Sequence, residues 1–373
     1  MANSLTTGKI YCMQLIDVSL RDVFNYKYIF NPSLTRDEDN NYLLVCRVQN
    51  NPSEGFLGLC TLDRAFNVLG EPAIITLSQV MKDNARVMLE DPRTFTHDGK
   101  IYLYHVESSP AFLYFCYTVF GVTDRKGILE NQVVLNYKKN LDIFKAVKEL
   151  GVSKKEKVLP QKDWKVEKNW QFFIQENKYY CIYQAGAKHE IFRFDFPGGT
   201  IHEKYITYSK LSWKYGRISG GAAPILHTDG YYYCFFHSWS EWENPFIKCA
   251  WQQRKYHIGV YVFDKHPPFR IKMISGDPIF SGSDTDKLAE SGHSVVFPGS
   301  ALFDEKTMQW NIALGWNDHS CKVLRIGHDK VKEGLKPVSS LPLLPIMKMK
   351  MMPHLQKIRL FGGRLYRFVK QFR

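Results

Sequence analysis

An all-β fold, a five-bladed β-propeller with a helical insertion and a basic amphipathic C-terminal helix, is what this 373-residue sequence predicts. Two observations predict it. A short polar turn followed by a Tyr-rich or aliphatic run recurs five times along the chain. The recurrences are spaced by roughly 50 to 80 residues, a period that suits propeller blades with insertions better than one sandwich. A β-sandwich with long loops is the rival architecture.

The first run is "DNNYLLVCRV" (39–48), and "DGKIYLYHV" (98–106) is the second. "ENKYYCIYQ" (176–184), "DGYYYCFFHS" (229–238) and "KTMQWNIALGW" (306–316) complete the set. Asp-Gly and Asn-rich turns tolerate positive φ and so favour tight hairpins. The aromatic and β-branched residues that follow suit a pleated, half-buried surface. Helix is expected at 140–160, where Asn140 caps, Leu141, Ile143, Phe144, Val147 and Leu150 keep helical spacing, and Gly151 stops the run. A second helix is expected in the tail, where Leu355, Ile358, Phe361, Leu365, Phe368 and Phe372 recur every three or four residues. Gly362 and Gly363 interrupt it. The division is therefore a domain over 1–340 and a tail over 341–373.

Composition narrows the class. Hydrophobic residues make up 45% and charged residues 23%, which excludes a largely disordered chain. The eight cysteines form no C-x-x-C pair, so a zinc ribbon or redox motif is not indicated, and buried thiols in a reducing compartment are expected. The N-terminal stretch lacks the basic start and apolar core of a signal peptide, and a cytoplasmic location is expected. The net charge of +13 is uneven: eight Lys or Arg and no acid lie between Lys348 and Arg373, leaving 13 − 8 = +5 elsewhere. Cations alternating with apolar side chains suit an anionic membrane surface at the inner face. A partner-protein helix and nonspecific RNA binding are the alternatives for this tail, and no specific nucleic-acid partner is indicated.

The stretch "LEDPRTFTHDGKIYLYH" (89–105) carries the chemistry. Glu90 and Asp91 precede Pro92 and Arg93, on what reads as a rigid loop before a hairpin. Proline biases Asp91 to extended backbone, and a general acid or base must be held still to reach one oxygen. An ion pair with Arg93 that merely pins the loop would use the same residues.

Further segments follow in order: "IFNPSL" (29–34), "CRV" (46–48), "KNWQFF" (168–173), "GGAAPILHTDGYYYCFFH" (220–237), "YHIGVYVFDKHPPFRIKMISGDPIF" (256–280) and "VVFPGSALFDEKTMQWNIALGWNDHSC" (295–321). Together with "EDPR" they resemble the family-130 glycoside hydrolases and phosphorylases, which act on β-mannosides, over about residues 28–328. The resemblance implies a five-bladed propeller with a central active site. It implies that Asp91 is the catalytic acid. Asn31 and Arg47 then match sugar-contacting positions, Glu90 and Arg93 beside the acid are expected to bind substrate with them, and Lys168, His237 and Asp318 match polar positions lining the funnel. Trp170, Trp239 and Trp316 stand near these residues and offer either sugar platforms or core filling.

The departures matter. Phosphorylases of that family carry a His-Arg pair where this chain has Tyr183 and Gln184, and an Arg where it has Phe30. Losing fixed positive charge weakens an inorganic-phosphate site. Lys188, Arg193 or Arg217 are candidates to supply that charge from another place. The leading expectation is therefore inverting transfer of a mannose-like sugar from a phosphate-activated donor to a glycan acceptor. A β-mannoside phosphorylase or hydrolase is the second reading, and a glycan-binding propeller without turnover is the third. No cofactor or metal motif is indicated: "FPGGT" (196–200) and "FGGR" (361–364) lack the spacing of a phosphate loop, and "DTD" (284–286) reads as a solvated loop.

Overall fold

The computed structural model describes residues 13–51, 54–75, 88–108, 115–124, 126–135, 165–241, 254–282, 294–339 and 341. The helix expected at 140–160 and the tail beyond 341 lie outside the described residues. Within them the chain is nearly all-β, and none of the helices is long and apolar enough to cross a membrane.

The described strands form five sheets. Strand β1 (Gln14–Val18) leaves the N-terminal region to join the last of them. The first sheet is β2 (Tyr28–Arg36), β3 (Tyr42–Gln49), β4 (Phe56–Leu62) and β5 (Val68–Ile75). The second is β6 (Met88–His97), β7 (Lys100–Ser108), β8 (Phe115–Thr123) and β9 (Leu129–Val134), with β10 (Lys165–Val166) parallel to β8. The third is β11 (Gln171–Gln175), β12 (Lys178–Gln184), β13 (Lys188–Phe194) and β14 (Ile201–Tyr208). The fourth is built on β15 (Ser219–Gly220), β16 (Ile225–Leu226), β17 (Tyr231–Glu241), β18 (Arg254–Asp264), β19 (Ile271–Ser275) and β20 (Phe280–Ser281). The fifth is β21 (Val296–Asp304), β22 (Gln309–Trp316) and β23 (Ser320–Gly327) with β1 at its edge, while β24 (Leu335–Pro337) returns to the fourth.

The five Tyr-rich or aliphatic runs are β3, β7, β12, β17 and β22, each entered from a tight turn. Asn40, Asp98, Asn177 and Met308 have positive φ in these turns, and Gly230 does so in the fourth. These strands are buried on both faces, because each sheet packs against two neighbours. Five apolar clusters occupy the gaps. One joins Leu43 and Val45 to Leu103, and the next joins Tyr104 and Phe120 to Phe172. Phe173 meets Tyr232 and Phe263, and Phe235 meets Trp310. The last joins Ala313 and Val323 back to Leu34 and Cys46 in the first sheet. The packing thus runs from each sheet to the next and returns to its start.

Buried polar residues stitch the first strands together. Ser33 on β2 and Thr94 on β6 lie 3.0 Å apart through their hydroxyls, and the Thr94 amide donates to Ser33 Oγ at 2.7 Å. The Leu34 amide donates to Ser300 Oγ on β21 at 2.6 Å. Gln171 on β11 donates to the Ala222 carbonyl at 2.7 Å. Each bond satisfies a polar group that would otherwise be buried alone.

Three of these strands break register at the same place. β2 skips between Phe30 and Ser33, β6 between Glu90 and Arg93, and β21 between Pro298 and Ser300. Each bulge contains a proline, which cannot donate to the ladder and is tolerated where the ladder is already interrupted. Asp91 therefore sits on a bulge within β6, not on a loop before a strand, and its φ of 49° is left-handed rather than extended. Asn31 (φ 50°) and Asn169 (φ 64°) share that conformation, which Asn and Asp adopt more readily than other side-chain-bearing residues.

Candidate active site

The bulges turn side chains into one cavity of about 420 Å³, within the range of about 300–1,000 Å³ typical of small-ligand sites. Asn31, Arg47, Glu90, Asp91, Lys168, His237 and Asp318 line it. Asn31 Nδ2 donates to Asp91 Oδ1 at 2.8 Å. Gly315 makes that contact possible: a Cβ there would lie 2.0 Å from Asn31 Oδ1. Arg47 Nη1 donates to Glu90 Oε2 at 3.0 Å, and the Ser108 hydroxyl donates to Glu90 Oε1. Both oxygens of Glu90 are thereby engaged.

Arg93 corrects an expectation. It is 1% exposed and lies beneath the cavity, not on its wall. Its guanidinium donates to the Gly221 carbonyl (2.7 Å), the Asp91 carbonyl (3.1 Å), Asn169 Oδ1 (3.2 Å) and the Gly220 carbonyl (3.4 Å). Phe297 packs on it at 4.9 Å. It fixes the Asp91 bulge through the backbone rather than through a carboxylate pair.

The two aspartates differ in charge. Burial works against the ionised form of Asp91, but Lys168, Arg93 and Arg47, with the Asn31 hydrogen bond, outweigh it and hold Asp91 below its usual value. Asp318 is pushed up to about 6, first by its enclosure and then by the Asp91 charge, against the pull of Arg47 and Lys168. The residue as a whole is exposed, but what it is exposed to is the cavity, so enclosure and exposure are compatible. His237 is pushed down to about 3, by burial first and by Arg93 next, so it is neutral near pH 7.

Of the three tryptophans, Trp239 lines the cavity, with the Arg254 guanidinium 4.0 Å from its ring centroid. Trp170 is buried against Tyr183 and Phe192, and Trp316 packs on Phe280; both are core. Sequence reasoning missed Asn169, Ser108, Tyr256 and Arg254. Asn169 had a signal, an Asn just before a strand, as Asn31 and Asp91 precede prolines. Arg254 had none: it reaches Trp239 only because β17 and β18 pair side by side. His189 is a core residue, its Nδ1 hydrogen-bonded to the Phe269 carbonyl at 2.9 Å and its pKa lowered by burial to about 4.

A second recess of about 210 Å³ shares Lys168, Asn169 and Ser219 with the cavity and adds Gln171, Tyr183, Gln184 and Arg217. Its described lining carries cations and neutral polar groups, without a carboxylate. Away from both, His227, Asp229 and His328 bring donor atoms within 4.8 Å of one another. The two rings are stacked at 4.2 Å and 11°, so their in-plane lone pairs run parallel instead of converging on one ion. His227 Nδ1 also accepts from the Asp229 amide, and His328 Nδ1 accepts from Trp310 Nε1. The two rings are packed as core, and Asp229 lies at their exposed edge.

No protein-family profile and no curated protein matches the sequence. Solved structures do match in fold. A β-1,2-mannobiose phosphorylase from Listeria innocua superposes with a TM-score of 0.56 at 13% identity, covering 86% of this chain and 99% of that one. A glycosyl hydrolase from Bacteroides ovatus gives 0.55 at 14% identity, covering 85% and 87%. A structure of the family-130 mannoside phosphorylases, whose members include hydrolases of β-1,2-mannosidic linkages in Candida mannan, gives 0.55 at 13%, covering 85% and 87%. The fold is therefore that of the family-130 glycoside hydrolases and phosphorylases, the group its motifs resemble.

Proposed function

We propose that the five sheets are the blades of a five-bladed propeller and that the chain is an enzyme that transfers a mannose-like sugar. The donor is a phosphate-activated sugar, the acceptor is a glycan hydroxyl, and the anomeric centre inverts. The observation that carries this reading is the charge state of Asp91. A carboxylate held ionised by its neighbours is in the state that can accept a proton and has none to give. In the transfer, the acceptor oxygen attacks the anomeric carbon, its proton passes to Asp91, and the bond to the donor's phosphate oxygen breaks. Asn31, Arg47 and His237 hold sugar hydroxyls, and Trp239 offers an aromatic face. Lys168 and Arg217, in the recess without acids, hold the phosphate in place of the pair replaced by Tyr183 and Gln184.

The segment 348–373, rich in cations alternating with apolar residues, supports work at the inner face of a membrane, where each basic residue contributes about 1 kcal/mol. A β-mannoside phosphorylase or hydrolase is the second reading, favoured by the activities named for the solved structures of like fold. The test is a panel of sugar nucleotides, sugar 1-phosphates and β-mannosides. Release of nucleotide or phosphate that depends on an acceptor supports transfer. Free mannose from an oligosaccharide alone overturns it in favour of hydrolysis.

A further inference from the structure

We propose that Asp318 is the proton donor to the departing phosphate oxygen, so that the reaction is divided between two carboxyl groups with Asp91 as the base. This deepens the transfer reading and rests on it. The geometry begins with the turn between β22 and β23. Asn317 (φ 51°) and Asp318 (φ 52°) are both left-handed, and the His319 amide closes the turn on the Trp316 carbonyl at 3.0 Å. Asn317 clamps it to the neighbouring strand from both sides: its amide donates to the Val295 carbonyl, and its Oδ1 accepts from the Val295 amide, each at 2.9 Å. The turn is thus held rigidly while the Asp318 carboxyl is left over. Among the described residues it makes no hydrogen bond and no ion pair, although it lines the same cavity as Asp91.

The other titratable groups of the cavity are unsuited to giving a proton. Glu90 is engaged by Arg47 and Ser108, and Asp91 is kept ionised. His237 is neutral, and burial raises Tyr256 above its ordinary value. Asp318 faces Asp91 and Glu90 of β6, Arg47 of β3 and Lys168 before β11, and it in turn raises Tyr256 of β18. Enclosure in the cavity first, and the like charge of Asp91 second, keep a proton on Asp318 to about pH 6, the separation of two carboxyls by environment that assigns acid and base roles. In the step, the anomeric C–O bond breaks with its electron pair going to the phosphate oxygen. The Asp318 proton moves to that oxygen while the acceptor's proton moves to Asp91. One proton then returns from Asp91 to Asp318 through solvent, and both groups are reset.

The experiment compares donors whose leaving groups differ in their need for a proton. Wild type, Asp318→Asn and Asp91→Asn are given mannose 1-phosphate, GDP-mannose and α-mannosyl fluoride, with β-mannobiose as acceptor. Fluoride departs without general-acid help, so Asp318→Asn loses about 10²-fold with the phosphate donors and less than tenfold with the fluoride. Asp91→Asn loses about 10²–10⁴-fold with all three. Wild-type transfer from the phosphate donors falls as pH rises through about 6, and Asp318→Asn removes that limb. Equal losses by Asp318→Asn on all donors, or no loss on any, overturn the assignment of Asp318 alone. A wild type silent on every donor, yet hydrolysing β-mannobiose, overturns the transfer reading and this role with it.

Discussion

The bulge on β6 and the turn between β22 and β23 present the same residue type to the same cavity, each on left-handed backbone. Their surroundings are opposite. Around Asp91 the protein supplies Asn31 to the carboxylate, Arg93 to the backbone carbonyl, and a cationic field. Around Asp318 it supplies a clamped backbone and leaves the carboxyl without a described hydrogen-bond partner. Partners to the charged form lower one pKa, while enclosure and a nearby like charge raise the other. Backbone geometry alone therefore does not set the chemistry of an aspartate; the donors aimed at its oxygens do.

The largest expected effect removes the ionised member. Asp91→Asn lowers turnover by about 10²–10⁴-fold while sugar binding, followed by calorimetry, persists. Unchanged turnover would dissolve the comparison. Next is the support of the bulge: Arg93→Ala costs about 3–5 kcal/mol in urea unfolding, because it strands the Gly220 and Gly221 carbonyls and opens a buried volume. A loss below 1 kcal/mol would mean that β6 holds its shape unaided.

Gly315→Ala acts on Asp91 at second hand. The added methyl displaces Asn31, so the acid side of the pH–rate profile moves up, at a cost of about 1–3 kcal/mol in stability. The direction follows from losing a hydrogen bond to the charged form. The smallest effect on stability belongs to Asp318→Asn. A carboxyl whose folded pKa is raised contributes fully below its unfolded value near 4, and stability is lost as pH rises through about 6. Asparagine removes that loss, so melting temperature rises above pH 6 by about 2 °C after screening in an open cavity, and not below pH 4. A fall at pH 7 would contradict the charge state assigned to Asp318.

One inner strand of every sheet was legible because aromatic and aliphatic residues follow turn-forming Asp, Asn and Gly, and β3, β7, β12, β17 and β22 lie where those runs lie. The first strands were harder to read. "FNPSL" and "EDPRT" look like turns by their Asn, Asp and Pro, yet each is a strand interrupted by one bulge. Local propensity reported the interruption correctly and hid the strand around it. The cavity's carboxylates and two of its cations, Arg47 and Lys168, were found through ordered motifs. Arg93 was misplaced because sequence shows a charge beside Asp91 but not that Gly220 and Gly221 would fold over to receive it. Ser108 and Arg254 are single polar residues whose meaning arises only when distant strands align.

The pairing of β1 with β23, from Gln14 beside Arg325 to Val18 beside Cys321, has a consequence for biosynthesis. The fifth sheet draws one edge strand from residues 14–18 and its other three from residues 296–327. An emerging chain must hold β1 in waiting until β23 has left the ribosome. Until the two pair, β23, once made, has a bare hydrogen-bonding edge, the kind of surface that recruits other chains. A late-joining strand thus ties completion of the fifth sheet to the synthesis of β23, and chains lacking residues 14–18 are expected to aggregate where intact ones remain dispersed.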